Sequence, residues 1–115
     1  MVIRGFGLVL IIVMLASLFI GGAQPQAVGL FPPPWDKLAH ATFFFSFAFV
    51  LKRFVGLHTA IVIILALLVG AVDEFHQLYL PGRFAGLDDW LADAVGASLA
   101  LFVLSFVKNS YKNTK

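Results

Sequence analysis

Hydrophobic residues run along this chain in long unbroken stretches, without the alternation of half-buried strands or the narrow stripe of surface helices. Four stretches stand out, at 6–23, 35–51, 57–79 and 87–107. Each approaches the roughly 20 apolar residues that an α-helix needs to cross a bilayer. Runs this long and continuous read as helices rather than strands. The connections are short: 24–34 is rich in proline and glycine, 52–56 is a turn, and 80–86 contains Pro81-Gly82. Prolines 32–34 suit entry into a helix, and Pro81-Gly82 suits departure from one. The expected fold is therefore all-α, an integral membrane bundle of four transmembrane helices forming one domain over 1–115.

Composition supports that picture. Of the 115 residues, 61% are hydrophobic and 12% charged, where a soluble domain carries about 45–50% and roughly 25%. Too little polar surface exists to cover a water-soluble globule. The first span has a rival reading as a cleaved signal peptide, with Arg4 before its apolar core and Gly21-Gly22-Ala23 at its end. The length of its apolar run and its thin basic start favour a retained helix. The absence of cysteine excludes disulfides, thiolate ligands and a cysteine nucleophile. A net charge of +2 is too small to point to nucleic acid.

How the charges are distributed says more. With four spans, Arg4, Lys52, Arg53, Lys108, Lys112 and Lys115 fall on one side, and Lys37 and Arg83 on the other. The positive-inside rule puts both termini in the cytoplasm. All six acidic residues (Asp36, Asp73, Glu74, Asp88, Asp89 and Asp93) then gather toward the outer face with His40 and His76. Acids orient membrane proteins only weakly, so this gathering reads as a site.

Depth and direction sharpen the reading. At about 1.5 Å per residue, His40, Glu74 and Asp93 each lie roughly 8 Å inside the ends of their helices. Asp36 and His40, Asp73 and Gln77, and Asp89 and Asp93 are i,i+4 neighbours on common faces. Charges facing lipid are costly, so such groups point inward and pair or line a wet cavity. Phe75 is the expected lipid-facing member of its segment. The plain alternative is a buried hydrogen-bond network that only holds helices together.

Other polar and aromatic residues have simpler readings. Asp88 reads as an N-cap, and Lys37 and Arg83 as interfacial counter-ions. His58 reads as a surface residue, and Trp35, Tyr79 and Trp90 as an outer aromatic belt. The phenylalanines of 43–49 read as lipid-facing and packing surface. His40, Glu74, His76 and Asp89 are permissible metal ligands, yet no metal-binding spacing appears. Glu74 and His76 also diverge around their helix. Neither a metal nor a cofactor is expected. Ser46 and Ser98 lack the context of a serine nucleophile. Acid–base chemistry needs only an ionisable pair tuned by burial.

The segments "DKLAH" (36–40), "DEFHQLYLPGR" (73–83) and "DWLADAVG" (89–96) resemble, in order and spacing, the VanZ-like family. These are small bacterial multi-helix membrane proteins named for an accessory determinant of teicoplanin resistance. The resemblance covers about residues 33–105. It implies that Asp36, Lys37, His40, Asp73, Glu74, Gln77, Arg83 and Asp89 are signature polar positions. The family commonly has asparagine where this chain has Asp93, and His76 is not a position the resemblance carries over.

Three functions remain in view. The leading one is an envelope protein of the bacterial inner membrane. Its outer-leaflet pocket, formed by Asp36, Lys37, His40, Asp73, Glu74, Gln77, Arg83, Asp89 and Asp93, binds a lipid head group or lipid-linked cell-wall precursor. Lys37 and Arg83 would meet a phosphate, and the carboxylates, His40 and Gln77 an amine or sugar hydroxyls. Glycopeptide resistance or envelope homeostasis is its physiological setting. The second is a hydrolase or transferase with Glu74, His40 or Asp73 in acid–base roles. The third is a structural or partner protein without a ligand. Ala66-x-x-x-Gly70 and Ala92-x-x-x-Gly96-x-x-x-Ala100 permit close helix packing in every case. The expected partners are membrane lipids and no nucleic acid, with self-association into a homo-oligomer left open. No inverted repeat points to a transporter.

Overall fold

A bilayer offers backbone groups no water, so an apolar run crossing it must satisfy its own hydrogen bonds as a helix. Among the described residues the chain forms four helices suited to that demand. The computed structural model describes residues 3–21, 35–79 and 86–113, with side chains to Val107. Helix α1 covers Arg4–Ala16 and continues as a π-helical end, Ser17–Gly21. Helix α2 covers Trp35–Val50 and likewise ends in a π-helical segment, Leu51–Val55. Helices α3 and α4 cover Thr59–Gln77 and Leu87–Asn113. Among the described residues, four helices, Arg4–Gly21, Trp35–Val55, Thr59–Gln77 and Leu87–Val107, are long and apolar enough to cross a membrane.

The turn expected over 52–56 is shorter than its sequence suggests. The second helix runs on to Val55 and stops at Gly56, whose φ of 85° places it in the left-handed region. Glycine adopts that conformation without a Cβ clash. The Gly56 amide donates to the Leu51 carbonyl, closing the π turn at 3.0 Å. His58 then opens α3 as its N-cap, its Nδ1 accepting from the Ala60 amide at 3.2 Å. The terminus of α1 meets this same corner. The Ile3 amide donates to Phe54 O and the Arg4 Nε to Val55 O, at 2.9 and 3.1 Å.

Among the described residues, helices α2 and α4 form the most extensive contact. Small residues make it possible. A Cβ on Gly96 would collide with the backbone of Ala41, and Ala48, Ala97 and Ala100 are fully or almost fully buried. Helix α3 approaches α4 at Gly70, where a Cβ would lie 2.9 Å from Asp93 Oδ2 and 3.2 Å from Trp90 Cδ1. The small-residue spacing thus serves the close approach expected of it.

The core lies mainly on α2. Phe44 and Phe47 are buried and ring-packed 5.9 Å apart, while Phe43, Phe45 and Phe49 are half-buried. The phenylalanine run therefore contributes chiefly packing surface, because α2 has neighbours on several sides. Outward positions are apolar instead: Ile12, Ile64, Leu68, Phe75, Phe102 and Phe106 are all more than half exposed. A surface of that kind suits hydrocarbon rather than water.

Candidate functional site

Three helix ends meet where the chain concentrates its ionisable residues: the start of α2, the end of α3 and the start of α4. Antiparallel neighbours bring these ends together, and the inward turn of each polar face brings their side chains into contact. Asp73, Gln77, Asp89 and Asp93 are buried, with Asp93 only 1% exposed. Asp36, Lys37, His40 and Glu74 are half-buried.

The contacts form two layers. In the deeper layer, His40 Nδ1 on α2 lies 2.9 Å from Asp93 Oδ1 on α4. On α3, the Gln77 Nε2 donates to Asp73 Oδ2 at 3.0 Å, joining the expected i,i+4 pair. Glu74 Oε2 accepts from the Gly86 amide at 2.8 Å and so ties the end of α3 to the entry of α4. His40, Asp73, Glu74 and Asp93 each offer a donor atom within 4.8 Å of the others. Two of their carboxylate oxygens, Glu74 Oε1 and Asp93 Oδ2, are buried without a hydrogen-bond partner among the described residues.

The outer layer is an ion cluster around Lys37. Its Nζ lies 3.4 Å from Asp36 Oδ2, 3.1 Å from Asp88 Oδ2 and 3.4 Å from Asp89 Oδ1. Lys37 therefore fastens α2 to α4 and is surrounded by negative charge. That geometry matches the counter-ion reading and does not aim Lys37 at a phosphate. Asp88 is not the N-cap of α4, which starts one residue earlier; it sits in the first turn and pairs with Lys37. Arg83 lies outside the described residues.

Other expectations are refined in the same way. Asp89 is buried at this end, but it belongs to the Lys37 layer and not to the four-residue cluster. Asp93 takes the place beside His40. Trp90 is more than a belt residue, since its Nε1 donates to the Leu67 carbonyl on α3 at 3.1 Å. His76 packs edge-on against Phe19, with ring centroids 5.7 Å apart, and so locates the end of the first span beside α3. Phe75 faces outward as expected, at 62% exposure.

Metal-binding motifs legible in a sequence rest on spacing within a single segment. The four groups that converge come from three helices, so no linear motif could announce them. The signal available in the sequence was equal depth, which named His40, Glu74 and Asp93 together.

Two grooves flank the cluster. One, of about 180 Å³, is lined by Ser17, Leu18, Ala39, Phe43 and Phe44, with His40 at its polar edge. The other, of about 540 Å³, is wide open between α3 and α4, lined by Ala71, Phe75, Leu78, Leu87 and Trp90, with Glu74 and Gly86. Each groove is lined mainly by apolar side chains and includes one polar side chain of the cluster.

A protein-family model described as VanZ/LLP1 matches residues 11–108, which include every described residue of both layers. No curated protein and no solved structure matches the chain.

Proposed function

The chain belongs to the VanZ/LLP1 family, and from that premise we propose a multi-pass protein of the bacterial cytoplasmic membrane that holds a lipid head group in its outer leaflet. Both termini are cytoplasmic in this reading, as the six-to-two division of basic residues indicates. The occupant is a membrane lipid or a lipid-linked cell-wall precursor, in the setting of envelope homeostasis or glycopeptide resistance.

One observation carries the reading: Glu74, whose Oε1 is buried without a hydrogen-bond partner among the described residues, lines an apolar groove. A buried acceptor without a donor is costly, and an intramembrane ionisable group is functional by default. A head group that brings donors, through an amine or sugar hydroxyls, satisfies Glu74 Oε1 while its chain lies in that groove. The phosphate role first given to Lys37 passes to Arg83 alone. Native mass spectrometry of gently extracted protein tests this. Lipids of one head-group class should stay bound to the wild type and be lost from Glu74→Gln. A spectrum with no retained lipid, or with retention unchanged in the variant, rejects the proposal.

A second reading has an observation of its own. The 2.9 Å His40–Asp93 contact is the arrangement in which a carboxylate orients an imidazole for proton transfer. With Glu74 beside it, the pair would serve a membrane-embedded hydrolase or transferase acting on the same lipid. Turnover of a retained lipid by wild type, abolished in His40→Gln, separates catalysis from binding alone.

A further inference from the structure

We infer that His40, Asp73, Glu74 and Asp93 bind one divalent transition-metal ion, of the zinc or manganese class. The inference rests on the cluster itself and not on the lipid reading. Four observations carry it.

The donor set is the first. One imidazole and three carboxylates suit zinc, manganese or ferrous ions, and carry no thiolate to favour softer metals. Convergence is the second. Donors about 2.0–2.2 Å from an ion lie at most ~4.4 Å apart, and these four already fall within 4.8 Å of one another. Bringing them to the roughly 3.4 Å donor spacing of a tetrahedral site takes side-chain shifts of about an ångström.

Charge is the third. Three carboxylates are gathered here beside a single imidazole, and Lys37 is occupied by Asp36, Asp88 and Asp89. Among the described residues no other lysine or arginine reaches this end. Buried charge without compensation is strongly unfavourable, and a divalent cation supplies what is missing. Asp93 Oδ2 marks the place most directly. It belongs to a residue 1% exposed, has no partner, and faces α3 over the notch left by Gly70, one turn from Asp73 and Glu74.

Outer-sphere support is the fourth. Metal ligands are characteristically steadied by hydrogen bonds to their remaining atoms. Gln77 steadies Asp73, and the Gly86 amide steadies Glu74. With an ion in place, the cluster changes from attracting an amine to attracting oxygen. Sugar hydroxyls or a phosphate of the lipid would then complete the coordination, a consequence that does rest on the proposed function.

The test uses full-length protein, delipidated in detergent and stripped with a chelator, so that lipid binding does not enter the result. Cobalt(II), a spectroscopic stand-in for zinc, is titrated while visible d–d absorption is followed, and metal content is measured after dialysis against zinc. The expected result is one ion per chain, with the cobalt spectrum abolished by zinc. Asp93→Asn, Asp73→Asn and Glu74→Gln should each weaken binding by at least about tenfold, as loss of even outer-sphere partners typically does. Asp88→Asn, in the Lys37 layer, should bind as wild type. Wild-type protein that takes up no metal saturably overturns the proposal, and so does binding that survives intact in all three cluster variants. The wild-type titration decides the matter even where a variant fails to fold.

Discussion

Glu74 does two jobs with two oxygens. Oε2 receives the Gly86 amide, and Oε1 is left buried and unpartnered. Glu74→Gln separates these jobs, because the amide oxygen still accepts from Gly86 while the charge disappears. If the polar cluster only held helices together, glutamine would be tolerated, since interhelical hydrogen bonds in membranes average about 0.6 kcal/mol. The expected outcome is different: loss of complementation of a deletion strain's envelope phenotype, at normal membrane abundance. Asp73→Asn keeps the acceptor for Gln77 and provides the matching comparison one residue earlier. Full complementation by Glu74→Gln would defeat both head-group binding through charge and acid–base catalysis.

At the scale of elements, the cluster depends on how closely α4 can lie against its neighbours. Gly96 sits against the Ala41 backbone, which cannot swing aside as a side chain could. Gly96→Ala should therefore destabilise the protein by about 1–3 kcal/mol, the usual cost of overpacking, seen as a lower thermal unfolding midpoint in detergent. Ser98→Ala, on the exposed face of the same helix, should leave the midpoint unchanged. An unchanged midpoint for Gly96→Ala would mean that α2 and α4 do not touch as described. The α3–α4 contact is weaker and more local. Trp90→Phe removes the indole donor to Leu67, and its expected cost is ~0.6 kcal/mol.

Over the whole molecule, charge is sorted by end. Arg4, Lys52 and Arg53 gather where α1 begins and α2 finishes, and Arg4 is bonded to the Val55 carbonyl there. The carboxylates occupy the opposite ends of α2, α3 and α4. Cysteines introduced at Gly86 and Lys112, probed in intact cells with an impermeant thiol reagent, read the orientation directly. Labelling at Gly86 and not at Lys112 is expected. The reverse pattern would place the polar cluster in the inner leaflet and remove the outer-leaflet function.

Sequence alone was sufficient for the four spans, because the energetic demand on a membrane helix is local: enough apolar residues in a row, with every backbone bond made inside the segment. It also marked the polar residues worth attention, since the cost of exposing Asp73, Glu74 or Asp93 to hydrocarbon makes their inward direction predictable. Partnership was not predictable. Whether His40 meets Asp93 or Asp89 turns on the rotation and approach of α2 and α4, which are decided where Gly96 meets Ala41 and Gly70 meets Asp93. The same packing drew Lys37 into a cage of three carboxylates, although its position in the chain equally suited a phosphate. His40 and Asp93 are 53 residues apart, and nothing local in either segment encodes their meeting. Only the tertiary structure, through contacts that exclude a single Cβ, selects which charges share a site.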